Sequence, residues 1–395
     1  MISQCPVDAN QEFTYVMRAE NSGTHWYHSH YGMQRADGLH GAFIILEEGE
    51  DAEEMSWITM ILTDWWKVDS TYMTAADPYR YGNTFGARMT GPGKGACTTE
   101  DKSFLAGVKL SSFCVDSVIA NGRGQYKRLD SDEKLTKDNF EFSVAEEYLV
   151  SETTKRIQLK TVHAGFEFPL LFRAVDGRKV TVTAHDGRRT LPEEGDGVFI
   201  GVAETMNIEV DFPLEENRLE LIAEIMFEGL GKNARPLERP FVKIIISRDA
   251  SVVDYDVKSK LVAAFGNAEI PEAFSLHQDN RVEEKLLLNC PAERFVDIPC
   301  KTVLDFKRDP DYESRFDHSP KNIIDETPDR VIHLNMNFAT GAAINGIEFK
   351  YPEEPFFDGP ENTPMTKCTA EQMQGAGGHC TQMIEVKKDE LIEFR

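Results

Sequence analysis

"MNIEVDF", Met206 to Phe212, alternates apolar and polar residues without a break. Successive side chains of a strand point to opposite faces, so Met206, Ile208, Val210 and Phe212 share one side, and Asn207, Glu209 and Asp211 the other. That is the pattern of an antiparallel strand with one buried face. The same period recurs to either side. "FTYVMRA" lines up Phe13, Tyr15, Met17 and Ala19, and "RLELIAEI" lines up Leu219, Leu221, Ala223 and Ile225. "KVTVTAH" (179–185) and "FVKIIIS" (241–247) read alike, whereas helical periodicity is scarce, "VKSKLVAAF" (257–265) being the best short candidate. Many short strands between Gly, Pro and Asp turns predict an all-β chain built of sandwiches.

The joints between these strands suggest units. "GNTFGARMTGPGKGAC" (82–97) is too glycine-rich for a core and reads as a loop. From about 251 to 330 the alternation fades, and "KRDPDYESRFDHSPKNIIDETPD" (307–329) is polar and proline-spaced like a linker. Strand-like sequence resumes at "VIHLNMNF" (331–338) and "AINGIEFKYPEEPFF" (343–357).

The 395 residues carry 43 Lys and Arg against 67 Asp and Glu, a net charge of −24. That balance argues against a nucleic-acid partner, because phosphate backbones demand cations. The acidity reads as a solvated, self-repelling surface. No apolar run approaches the ~20 residues of a membrane span, and "MISQCPVDANQEF" has neither the basic head nor the apolar centre of a signal peptide. Seven cysteines leave at least one without a partner in the chain. Cys290 with Cys300, and Cys368 with Cys380, have spacings that suit local disulfides of an oxidising compartment, although spacing alone does not settle connectivity. Cys5, Cys97 and Cys114 are left over.

Chemistry concentrates near the front, in "GTHWYHSHYGMQRADGLHGAFII" (23–45). If Trp26–His30 is a strand, His28 and His30 project from one face about 6.6 Å apart. Two neutral imidazoles on one face suit copper or another late transition metal. His25 has the opposite parity and points away. Two ligands are fewer than a tight site needs, so the spacing by itself is also compatible with a solvated or packed pair.

The flanking residues decide more. Gln4 to Ile45 closely resembles the end of the first cupredoxin domain in multicopper oxidases of the laccase type. There the order is Q-C-P-I, F-x-Y, G-T-x-W-Y-H-S-H and Q-x-x-D-G-L-x-G, and Val7 stands here for the Ile. "WITMILTDWW" (57–66), "VIANGRGQY" (118–126) and "AVDGRKVTVTAHDGRRTLP" (174–192) are similar to segments of the family's second domain, with Arg178 at a usual histidine. "LNCPAERF" (288–295) and "AINGIEFKYPEEPFF" are similar to its linker and third domain, most like the animal members. The resemblance implies tandem cupredoxin-like, plastocyanin-like Greek-key sandwiches. Residues 1–50 would be the latter half of the first, 51–250 a complete second, 251–330 a linker and 331–395 the opening of the third.

It also implies a metal. In that family four H-x-H pairs hold three coppers between the first and third domains, and a Cys, two His and often a Met hold a mononuclear copper. Only His28 and His30 match such positions here, one ligand to each copper of the binuclear pair, so the chain would offer at most a partial binuclear site. The partner motifs H-W-H-G, H-P-x-H-L-H-G and H-C-H would fall before Met1 and after Arg395, which makes an incomplete, inactive chain the expectation. His379-Cys380 is no H-C-H, since Thr381 follows. His40 falls at a variable family position, His185 and His333 on polar faces, and His163, His277 and His318 in turns or linker. Trp26 reads as packing, and Asp37 and Gly38 as setting the return turn, with a supporting role near the metal the weaker alternative for Asp37. The implied activity is one-electron oxidation of phenolic, amine or ferrous substrates coupled to reduction of O2 to water, in an extracellular setting. The alternative is a non-catalytic cupredoxin-like scaffold whose acidic surface binds a partner. The unaltered "WYHSH" speaks against it, because a scaffold has no need of both imidazoles.

Overall fold

The computed structural model describes residues 7–19, 21–31, 34–50, 56–65, 117–127, 140–142, 146–165, 169–225, 241–249, 285–290, 299–313, 327–337, 343–348, 368, 378–380 and 384–395. Strands dominate them, as the alternation predicts. A hairpin comes first, β1 (Gly23–His28) and β2 (His40–Ile45). It is followed by β3 (Ile58–Trp65), β4 (Ser117–Ala120), β5 (Arg123–Lys127), β6 (Phe140–Phe142) and β7 (Glu146–Leu149). Next come β8 (Arg156–His163), β9 (Leu170–Ala174), β10 (Val180–His185), β11 (Arg188–Gly195) and β12 (Gly197–Ile200). β13 (Thr205–Asp211), β14 (Arg218–Ile225), β15 (Phe241–Ser247), β16 (Leu287–Leu288) and β17 (Cys300–Lys301) complete the central unit.

That unit is a β-sandwich. One sheet runs β11-β10-β13-β8-β3-β4-β5-β6, the other β17-β16-β12-β9-β14-β15-β7. Their inner faces share a single core, in which Met60, Leu62, Leu159 and Val182 of the first meet Phe172, Val198, Leu221 and Ile244 of the second. All four apolar residues of "MNIEVDF" are in it: Met206, Ile208, Val210 and Phe212 are at most 1% exposed. β13 is paired on both sides, with β8 and β10, and a one-residue slip would turn those four outward. The middle of this sheet joins β3 to β8 in parallel, with Ile58 opposite Leu159. Tight turns fall where the sequence supplies them. Asn121-Gly122 and Asp186-Gly187 each place both central residues at positive φ, as two-residue hairpin turns require.

The seven-stranded sheet is covered on its outer face too, which alternation does not foresee. In β14, Ile222 and Glu224 are as buried as the inward Leu219, Leu221, Ala223 and Ile225. Glu224 is paired with Arg173 at 2.8 Å, and their side chains are 3% and 7% exposed. Nearby, Leu171, Phe199 and Leu287 pack together against Cys290 and Cys300. Those cysteines form one disulfide, with Cα atoms 6.2 Å apart, and Cys368–Cys380 forms a second, at 5.1 Å. Within the stretch read as linker, Leu287–Leu288 and Cys300–Lys301 thus extend this sheet, and Val303–Asp305 and Pro310–Glu313 make short helical turns.

One strand expectation fails. "FTYVMRA" forms no strand, and Phe13, Tyr15 and Met17 are 52%, 63% and 64% exposed. The alternation is genuine, since the Phe13 and Tyr15 rings still meet on one side at 4.7 Å. Among the described residues, however, no neighbouring strand takes its backbone bonds, and an unpaired extended segment buries neither face. The helix expected at 257–265 and the loop at 82–97 lie outside the described residues. Towards the end, Arg330–Ile332 pairs in parallel with Ile392–Phe394, and a small four-stranded sheet joins Met336–Asn337, Ala343–Ile344, Ile347–Glu348 and Gly378–His379. Among the described residues no helix is long and apolar enough to cross a membrane.

Candidate metal centre

The histidine pair sits at the open end of the first hairpin. β1 and β2 pair antiparallel from Gly23↔Ile45 to His28↔His40. The regular strand stops at His28, earlier than the sequence suggests, and Ser29 adds one last backbone bond to the Leu39 carbonyl at 3.0 Å. The chain then turns: the Ser29 hydroxyl donates to Gln34 Oε1 at 2.6 Å and accepts from the Tyr31 amide. Gly38, at φ +101°, returns it to β2 as the Asp37-Gly38 reading expects.

Although His30 lies past the strand end, its ring stays on the face of His28. The two ring centroids are 4.5 Å apart, and Trp26 continues the row at 4.3 Å from His28. His28 is half-buried and His30 exposed. His28 Nδ1 lies 3.0 Å from the Ser29 carbonyl. A carbonyl only accepts, so a neutral ring carries its hydrogen on Nδ1, and the free lone pair is on Nε2. The donor chemistry therefore fits copper: two imidazoles on one face, one of them with its tautomer set by the backbone.

His40, read from the sequence as a variable position, opens β2 beside the pair. It stands directly across from His28 and so shares its face. Its Nδ1 is buried and has no hydrogen-bond partner among the described residues. Burial, reinforced by nearby Arg35 and His28, holds its pKa below the ordinary imidazole range. The long turn from Ser29 to Leu39 hides this pairing, because turns of that length do not dictate register. Among the described residues no group of three or more His, Cys, Asp or Glu side chains is gathered closely enough to hold a metal ion.

The hairpin lies against the outer face of the eight-stranded sheet and is held mainly by polar bonds. Thr24 Oγ1 donates to Asn207 Oδ1 at 2.7 Å, and Thr205 Oγ1 donates to the Thr24 carbonyl at 2.7 Å. Asn207 is one of the residues that "MNIEVDF" turns outward. Trp26 Nε1 donates to the Ala203 carbonyl at 3.1 Å, so Trp26 is an anchor as well as packing. Tyr312 Oη lies 3.0 Å from both the Ser22 and Gly187 carbonyls. His25 turns away as its parity predicts and rests on Gly187, where φ is +76° and a Cβ would strike the imidazole.

The remaining histidines stay out of the site. His163 corrects the sequence reading: it ends β8 rather than lying in a turn, and it is fully buried, with the Gly165 amide donating to its Nδ1 at 3.1 Å. His185 lies on the outer face of β10 and His333 is exposed. Cys380, beside His379, is bonded to Cys368. His277 and His318 lie outside the described residues. Arg178 is held by Asp176, Glu216 and the Asp211 carbonyl, which accounts for it as a structural cation.

The family model described as multicopper oxidase matches residues 1–50, the stretch that carries the hairpin. A laccase from Ustilaginoidea virens is 36% identical over 124 residues, 31% of this chain and 18% of that protein. An L-ascorbate oxidase from Brassica rapa subsp. pekinensis is 26% identical over 220 residues, 52% of this chain and 33% of that protein. The matched stretches thus span a third or less of these two relatives. The solved structure of Fet3p, described as a multicopper oxidase that functions in iron import, aligns over 85% of this chain and 47% of its own, at 16% identity and a TM-score of 0.44. The described chain is all-β; its first 50 residues are similar to multicopper oxidases, and longer stretches are similar to a laccase and an ascorbate oxidase.

Proposed function

We propose that the β1–β2 hairpin supplies two copper-ligating imidazoles, His28 and His30, to an oxidase of the laccase type. The observation that carries this is the stacked pair of rings on one face, with His28 Nε2 left as the free donor. Held by His28 and His30, copper would supply one-electron redox chemistry for reduction of O2. The chain's own residues do three things: His28 and His30 offer nitrogen lone pairs, the Ser29 carbonyl fixes the His28 tautomer, and Trp26 buttresses the His28 ring. Each imidazole would serve one copper of a binuclear pair, and a trinuclear cluster or a mononuclear blue site would need further donors. The reducing substrate is a phenol, an amine or ferrous ion. The disulfides Cys290–Cys300 and Cys368–Cys380 support an extracellular setting.

Titration of the purified chain with Cu(II), followed by electron paramagnetic resonance, tests this reading. A Cu(II) spectrum with imidazole nitrogen couplings is expected, diminished in His28→Ala and in His30→Ala. A spectrum unchanged in both variants would exclude the hairpin. With no third donor gathered beside them among the described residues, the chain by itself is expected to consume no O2 when given copper and a phenolic or ferrous reductant.

A further inference from the structure

The turn Gly201–Glu204, between β12 and β13, presents to the hairpin the carbonyl that Trp26 uses. Its geometry is costly. Ala203 sits at φ +72°, a left-handed conformation that an alanine seldom adopts unless its surroundings impose it. Three backbone bonds contribute: Ala203 N to the His163 carbonyl (2.9 Å), His163 N to the Glu204 carbonyl (2.9 Å) and Glu204 N to the Gly201 carbonyl (3.1 Å).

The Glu204 carboxylate closes the turn from inside. Its Oε2 accepts from the Gly201 amide at 2.6 Å and from Asn289 Nδ2 at 2.7 Å. Its Oε1 faces His185 Nε2 at 3.3 Å, an electrostatic approach rather than a well-aligned hydrogen bond. Asn289 is anchored in turn, donating to the Phe199 carbonyl at 3.1 Å beside the Cys290–Cys300 disulfide. Burial works to raise the Glu204 carboxyl, but these donors outweigh it and hold its pKa below the ordinary carboxylate range. An ionised carboxylate with several donors is a rigid strut.

We infer that Glu204 is a positioning residue for the histidine pair. It holds the turn that keeps the Ala203 carbonyl on Trp26 Nε1, and Trp26 is the surface against which His28 stacks, with His30 beyond it. The chain of contacts runs from the disulfide edge of one sheet, across the turn, to the proposed copper ligands. The inference rests on the copper reading for its purpose, though not for its geometry.

The test separates the two. In the copper-free full chain with 15N-labelled indoles, Glu204→Ala should speed exchange of the Trp26 Nε1 hydrogen about tenfold relative to the other indoles, the loss of one well-placed hydrogen bond. Trp26→Phe assigns the signal. Glu204→Gln, which still accepts from the Gly201 amide, should keep exchange within about threefold of the unaltered protein. In the copper arm, Glu204→Ala should weaken Cu(II) about tenfold by competition titration, and Glu204→Gln should restore most of it. Unchanged Trp26 exchange in a folded Glu204→Ala protein overturns the inference, as does equal acceleration of all indoles. Should Glu204→Ala fail to fold, Asn289→Ala must shift Trp26 exchange in the same direction, or the strut is not there. If the unaltered protein binds no Cu(II), the copper reading fails while the exchange arm still decides the positioning role.

Discussion

The inner face of β13 and the outer face of the same strand hold the molecule together by opposite means. Inward, Met206, Ile208 and Val210 join a core of apolar side chains shared by both sheets. Outward, Thr205 and Asn207 grip the histidine hairpin through hydrogen bonds, at 2.7 Å each. Apolar burial contributes roughly 25 cal/mol per Å² and adds up over a whole core. A hydrogen bond exchanged with water contributes about 1 kcal/mol, with strict geometry. The core therefore supplies stability and the hairpin dock supplies placement. The histidine pair proposed to hold copper is seated by the weaker and more directional of the two.

Substitutions can break that division or sharpen it. Phe172→Ala, in the core, should cost about 3–5 kcal/mol in urea unfolding, with sandwich and hairpin signals lost together. Replacing both Cys290 and Cys300 by serine should cost about 2–3 kcal/mol, because the closed loop is short. Thr205→Val leaves the Thr24 carbonyl short of its donor and should cost about 1–2 kcal/mol. Its mark should be faster hydrogen exchange in β1 with a smaller change in the global midpoint. If the midpoint falls by the full amount, hairpin and core are one cooperative unit and the division fails.

Smaller effects follow from pH. His185 loses some affinity for protons through burial, but pairing with Glu204, and the nearby Asp186 charge, raise its pKa above the usual 6.5. A raised folded pKa stabilises fully below the unfolded value, and the gain is lost as pH climbs through the folded one. Glu204, with a lowered pKa, contributes above the unfolded value of 4.5 and loses that contribution as pH falls through its folded value. Melting temperature should therefore drop by about 2–4 °C as pH climbs through the raised His185 pKa, and His185→Gln should flatten that slope. Smallest of all, His30→Ala should change stability by less than about 0.5 kcal/mol, since the ring is exposed. Its loss should register in copper binding alone.

Much of the fold could be read from residues 206–212 and their like, because a period of two marks a strand wherever a neighbouring strand takes its backbone bonds. Among the described residues none does so for residues 13–19. What resisted reading was long-range. Nothing near Leu287 or Cys300 tells them to extend a sheet whose next strand is β12. Glu224 looks solvated until its pairing with Arg173 is seen across the sheet. In the hairpin, the common face of His28 and His30 was legible from their spacing, and the opposite placement of His25 from parity. His40 was not, because its place opposite His28 depends on how the Ser29–Leu39 turn folds. Glu204 gave no sign either: its role depends on Asn289 and His185, far off in the chain.

The parallel pairing of β3 with β8 has a consequence during synthesis. About a hundred residues separate the two strands, so at ~5–20 residues per second β3 waits roughly 5–20 s for that neighbour. Through that interval the edge carrying Met60, Ile61 and Leu62 is exposed to other nascent chains, and the histidine hairpin just ahead of it has no β13 on which to settle. The two histidines emerge early and are seated late, so their final orientation depends on strands translated well after them.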